Sequence, residues 1–180
     1  MAQSYDHPLT NVGKALLEAG KVERFHCTPH HQPYNVATHS WGMAALLRHL
    51  NPMASPELVW AVLFHDVAER WTGDMPAPAK RWLSPEAGRG LRAVEAGILK
   101  ELGLEFALHP VERCWLHALD VLELCLYCIS EVQMGNNCMI QAREACMKIL
   151  CEDTSIPQQV RQYALDFRKG RVDDSFGHGR

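Results

Sequence analysis

The chain has 180 residues, 47% hydrophobic and 22% charged, with a formal net charge of −3 from 18 Lys and Arg against 21 Asp and Glu. That length and composition fit one globular domain and exclude a disordered chain, and the slightly acidic balance gives no basis for nonspecific nucleic-acid binding. No apolar run approaches the ~20 residues of a membrane span and the N-terminus lacks a signal-peptide apolar region, so a cytoplasmic chain with reduced cysteines is expected.

Residues 9–19 form an amphipathic helix with Leu16 and Leu17 inward, stopped at Gly20. Residues 24–34 hold two prolines and three histidines and read as a loop. Thr38 is the predicted N-cap of a helix over 39–50, which offers Trp41, Ala44, Ala45 and Leu47 for burial. His39 falls in its first turn, aimed inward or at a site. Ser55-Pro56-Glu57 starts the next helix, whose apolar run over 58–64 should be buried and which ends near Trp71. A proline-stiffened turn over 72–81 then delivers Asp74, Lys80 and Arg81 close to His65. Ser84-Pro85-Glu86 opens a helix that reaches Leu102, with Gly103 as its stop. Pro110 opens a longer one through Ile129, ended by Gly135-Asn136-Asn137, and two more follow over 139–150 and 157–167. The tail, 171–180, is expected to fray. With no convincing strand, this predicts an all-α single domain with its core over about 9–168.

The chemistry gathers at His65-Asp66 and Glu69. An imidazole and two carboxylates at the end of an apolar helix, with Glu69 one turn on, are costly to bury unless something pairs them. A divalent metal is the simplest partner; a solvated helix end is the alternative. Asp120 lies mid-helix among Ala118, Leu119, Val121 and Leu122, so a buried partner is expected there too. With His39, His65 and Asp66 it completes a set of two histidines and two carboxylates. His117, three residues before Asp120, could support that set. Cys125 and Cys128 form a lone C-x-x-C on a Leu-rich helix and read as packing. His30 and His31 could bind metal, though an exposed pair is usually solvated.

His39, His65-Asp66 and Asp120 match the H…HD…D pattern of the HD-domain metal-dependent phosphohydrolases. Over roughly residues 16–137 the chain resembles the small YfbR-like 5′-deoxyribonucleotidases and the phage DatZ-type dATP triphosphohydrolases. The matching residues are Arg24, Asn35-Val36, His39-Ser40, His65-Asp66-x-x-Glu69, Thr72-Gly73-Asp74-x-Pro76-x-Pro78-x-Lys80, Asp120 and Gly135-Asn136-Asn137. One departure is Phe25, where the family often has a sugar-facing Trp.

The resemblance implies an HD-domain helical bundle in which His39, His65, Asp66 and Asp120 hold one divalent cation (Zn, Co or Mn, with Mg possible beside the phosphates). It makes Asp66 and Glu69 catalytic, Glu69 as general base on the water or acid on the leaving oxygen. Arg24 and Lys80 would take phosphate charge, Asp74 would accept from the sugar 3′-hydroxyl or bind a second cation, and Phe25, Cys27 and Pro78 would line the pocket. The expected activity is hydrolysis of a deoxynucleoside triphosphate, dATP foremost, to deoxynucleoside and triphosphate. The alternative is a 5′-deoxyribonucleotidase releasing orthophosphate from monophosphates; a non-catalytic helical interaction domain is a remote third reading. No nucleic-acid or membrane partner is implied, and a homo-oligomer, dimer or hexamer, is expected.

Overall fold

Ser-Pro pairs start two of the helices. The computed structural model describes residues 12–168; the predicted start of the first helix at 9–11 and the predicted frayed tail lie outside them. Within them run α1 (Val12–Ala19), α2 (Val36–Leu50), α3 (Pro56–Phe64), α4 (Glu69–Thr72), α5 (Ala77–Lys80), α6 (Pro85–Glu101), α7 (Pro110–Gln133), α8 (Ile140–Glu152) and α9 (Gln158–Arg168), with one 3₁₀ turn at Asn137–Met139. The hydroxyls of Ser55 and Ser84 accept from Leu58 N–H and Ala87 N–H and so cap α3 and α6. At α7 the Glu112 carboxylate accepts from His109 N–H at 2.8 Å. Among the described residues the one β contact is an isolated bridge, Glu23 to Asn35.

The main core joins α2, α3, α7, α8 and α9 through Met43, Leu47, Leu58, Val62, Leu119, Leu122, Leu150 and Val160. α1 packs beside α4, where Ala15 and Ala19 meet Val67 and Leu102. Tyr34, Tyr127, Cys128 and Met139 form a third cluster. Cys125 and Cys128 are buried and all seven cysteines are free, so the C-x-x-C is packing. Among the described residues no helix is long and apolar enough to cross a membrane.

Several expectations are corrected. Leu17 points outward, 76% exposed, because Ala15 and Ala19 make the inward stripe of α1 and Leu17 lies about 200° round from Ala15. On α2 the buried stripe is Val36, His39, Ser40, Met43 and Leu47, which leaves Trp41 and Ala45 on the exposed side. The N-cap of α2 is Asn35 rather than Thr38: its side chain accepts from both Thr38 N–H and Thr38 Oγ1. Within the apolar run over 58–64, Trp60 is half exposed.

The predicted continuous helix over 56–71 is broken. After α3 the hydrogen bonds shorten to three-residue spans: Val67 N–H to Phe64 O, Glu69 N–H to Asp66 O and Arg70 N–H to Val67 O. Three residues per turn eclipse positions i and i+3, which stacks Asp66 and Glu69 on one face. Gly73, at φ +71°, ends α4 in a conformation that suits a residue without Cβ.

Candidate metal centre

Three elements converge on one spot. α2 brings His39 from its first turn, the tight turn after α3 brings His65 and Asp66, and α7 brings Asp120. One ligand atom each of His39, His65 and Asp120 lies within 4.8 Å of the others. His39 Nε2 is 3.2 Å from Asp120 Oδ1 and 3.8 Å from Asp66 Oδ2, and His65 Nε2 is 3.3 Å from Asp66 Oδ2. Asp66 borders that group of three rather than joining it, with its Oδ2 paired to Arg24 Nη1.

Each imidazole is anchored at Nδ1. His39 Nδ1 lies 2.5 Å from Glu123 Oε2, and His65 Nδ1 lies 3.1 Å from the Val62 carbonyl. A carbonyl or carboxylate oxygen only accepts, so in each neutral ring Nδ1 carries the proton and Nε2 presents its lone pair. Both Nε2 atoms are buried without a hydrogen-bond partner among the described residues. Orphaned lone pairs facing carboxylate oxygens across 3.2–3.8 Å fit a cation between them. Imidazole and carboxylate donors together suit Zn, Mn, Fe or Co.

Around this spot the charges are strongly displaced. Burial works against ionisation of Asp66, yet the His65 imidazole and the Arg24 guanidinium outweigh it and hold the carboxyl well below the usual range. Asp120 is also lowered, against its burial, by His39 and His65. Glu69 moves the other way: burial first, then the charges of Asp66 and Asp74, push it up to about 8. Its Oε2 has no hydrogen-bond partner among the described residues, and Arg24 Nη1 stands 4.0 Å away. His39 is raised to about 9, because Asp120 and Glu123 overcome the burial that disfavours its charged form.

Arg24 reaches three carboxylates: Asp66, Glu69 at 4.0 Å and Asp120 at 3.7 Å. Its guanidinium also sits over the Tyr34 ring, 5.6 Å from the centroid. Phe25 follows at φ +55°, an uncommon conformation for a bulky residue, and packs tilted against Tyr34 and Tyr127. Asp74 is largely buried, with its Oδ2 4.0 Å from His26 Nδ1. Lys80, at the end of α5, is exposed, and its charge acts on Glu69. Cys27, Pro78 and Arg81 are exposed.

The loop carrying Arg24 and Phe25 is pinned from behind. Glu131, fully buried, accepts from His31 N–H and Gln32 N–H, each at 2.9 Å, and from the Asn136 side chain at 2.8 Å. Asn136 in turn donates to Pro29 O at 2.9 Å. His31 therefore faces Glu131 rather than a second metal site. His117 is exposed and does not support the centre. Glu123, three residues after Asp120 and on the same face of α7, lies against His39 Nδ1 instead. A second carboxylate within the apolar run Val121-Leu122-Glu123-Leu124-Cys125 is the signal that could have found it.

The HD-domain family pattern matches residues 21–109, which include Arg24, His39, His65, Asp66 and Glu69. Those residues are an HD domain. His39 and His65 lie within that domain, and with Asp120 they form a group that could hold a metal ion. Among solved structures the fold is similar to the cyanophage S-2L HD phosphohydrolase DatZ bound to dA and one catalytic Zn²⁺ ion, with TM-score 0.65 and 23% identity over 88% of this chain and 94% of that one. It is also similar to a conserved hypothetical protein from Pyrococcus furiosus, with TM-score 0.63 and 19% identity over 88% of this chain and 98% of the other. At such identities the likeness is one of fold. No curated protein matches the chain in sequence.

Proposed function

We propose that this chain is a metal-dependent HD-domain phosphohydrolase that acts on 2′-deoxynucleoside triphosphates, dATP foremost, and releases deoxynucleoside and triphosphate. The observation that carries the reading is the pair of buried, unpartnered Nε2 atoms of His39 and His65 facing Asp66 and Asp120, with Glu69 one eclipsed turn beyond Asp66. The fold shared with a phosphohydrolase that binds dA and zinc supports the substrate class. His39, His65, Asp66 and Asp120 would hold the cation. A divalent ion there supplies Lewis-acid charge to a phosphoryl oxygen and lowers the pKa of water from 15.7 toward about 7.

The chain's own groups do the rest. Water attacks the α-phosphorus, Glu69 takes the water's proton at its carboxylate, the bond from phosphorus to the 5′-oxygen breaks, and Glu69 returns that proton to the departing 5′-oxygen. A base with its pKa near the working pH is well matched to that task, which typically contributes 10²–10⁴-fold. Arg24, beside the three carboxylates, meets the phosphate nearest the centre as a fork. Lys80, farther out and exposed, takes charge on the outer phosphates. Asp74 accepts from the 3′-hydroxyl, and Phe25, Cys27 and Pro78 wall the sugar and base.

The test is incubation with each dNTP, dNMP and ATP in the presence of Co²⁺, Mn²⁺ or Zn²⁺, with nucleoside, orthophosphate, pyrophosphate and triphosphate resolved by chromatography. Triphosphate released from dATP is the expected product. Orthophosphate released from dAMP, with no triphosphate from dATP, would replace this reading with a 5′-deoxyribonucleotidase.

A further inference from the structure

Behind His39, on the Nδ1 side of its ring, lies a buried polar cluster that makes no contact with substrate in the reading above. Glu123 Oε2 is 2.5 Å from His39 Nδ1 and 2.5 Å from the Tyr34 hydroxyl, which itself lies 3.2 Å from Nδ1. All three residues are buried: His39 and Tyr34 fully, Glu123 to 9% exposure. We propose that Glu123, held in turn by Tyr34, is the positioning residue that fixes His39 with its Nε2 lone pair directed at the metal centre. The proposal rests on His39 being a metal ligand.

An imidazole left to itself can turn over and can carry its proton on either nitrogen. A carboxylate at Nδ1 removes both freedoms, because it has no proton to donate and must accept one from that nitrogen. It also makes the opposite nitrogen a more basic ligand, as carboxylate partners of metal-binding histidines do elsewhere. Tyr34 secures the same oxygen from the other side. Its ring is stacked on Tyr127 with centroids 3.8 Å apart, so the hydroxyl is fixed in place.

A separate feature of α2 fits this role. Gly42, one turn after His39, sits inside the helix, where glycine is unfavourable. A Cβ there would come within 2.8 Å of Glu123 Cγ and 2.9 Å of Glu123 Oε1. Position 42 thus leaves the space that the Glu123 side chain occupies. Any larger residue must displace the Glu123 side chain from Cγ outward.

The experiment is Co²⁺ titration of the metal-free, full-length protein, read as affinity and as the visible absorption of the bound ion. Glu123→Leu is expected to weaken Co²⁺ binding by about 10–100-fold and to alter the spectrum. Glu123→Gln, whose amide oxygen can still accept from Nδ1, should restore most of both. Gly42→Ala should weaken binding in the same direction with an unchanged circular dichroism spectrum, and so should Tyr34→Phe. These two variants decide the matter if Glu123→Leu does not fold. His39→Ala separates the two readings. If it binds Co²⁺ like the wild type, His39 is not a ligand and the positioning role falls with it. If His39→Ala alone is impaired, while Glu123→Leu (or, if that does not fold, Gly42→Ala and Tyr34→Phe) matches the wild type, the ligand assignment stands and the positioning role is overturned.

Discussion

The two histidines of the centre are held by different kinds of partner. His65 rests on the carbonyl of Val62, three residues earlier in its own element. His39 rests on Glu123, a side chain 84 positions away on another helix. The first support is written into the local chain and no distant substitution removes it. The second exists only after α2 and α7 have packed. The difference teaches that the HD pair is a self-contained unit of sequence, whereas the rest of the centre is a product of tertiary assembly.

The largest effect comes from breaking the HD pair itself. His65→Ala and Asp66→Asn should each lose bound metal and activity together, measured by elemental analysis of the purified variants beside their turnover. If the HD pair were dispensable for the ion, metal content would survive. Glu69→Gln probes the same side of the centre without touching the four residues proposed to hold the ion. It should keep the metal and lose at least ~10²-fold in turnover. Full turnover would remove Glu69 from the role of base.

Lys80→Ala moves outward from both halves. Loss of one charge-assisted contact costs on the order of 1.5–3 kcal/mol, so dATP turnover should fall by about 10–150-fold. Any turnover of dAMP should be nearly unchanged, since the outer phosphates are missing. Equal losses on both substrates would place Lys80 at the α-phosphate instead.

The smallest effect is on the stability of the metal-free protein. His39 is raised from 6.5 to about 9 in the folded state. Its proton therefore stabilises the fold fully below about pH 6.5, and that contribution is lost as pH rises through about 9. Glu69, raised from 4.5 to about 8, acts in the same direction over an earlier window. Thermal melts should show Tm falling across these ranges. His39→Ala should flatten the upper part of the curve and Glu69→Gln the lower part. A Tm that rises with pH from 6.5 to 9 would contradict the sign.

Most of the helices, and the residues that converge at the candidate centre, are legible in the sequence because their signals are local. Ser-Pro starts, glycine stops and the HD-x-x-E spacing each span a few residues. The break after Phe64 is not legible, since apolar periodicity runs through it, and only the three-residue hydrogen bonds reveal it. Leu17 and Trp41 were expected inward on apolar character alone, but small residues and His39 set the buried stripes of their helices. Glu123 carries the same signal as Asp120, a carboxylate in an apolar helix. Tyr34 and Gly42 carry no local signal, because what they meet lies on α7.

The clasp on the residue 24–34 loop fixes an order of events in folding. Glu131 and Asn136 hold His31, Gln32 and Pro29 across separations of 100, 99 and 107 residues. A contact of such range follows the local helices and is slow to close. During synthesis α2 and α3 can pair while the chain is still growing, but the loop must wait until residue 136 has emerged. Arg24 and Phe25 are therefore among the first residues of the site to be made and among the last to reach their places.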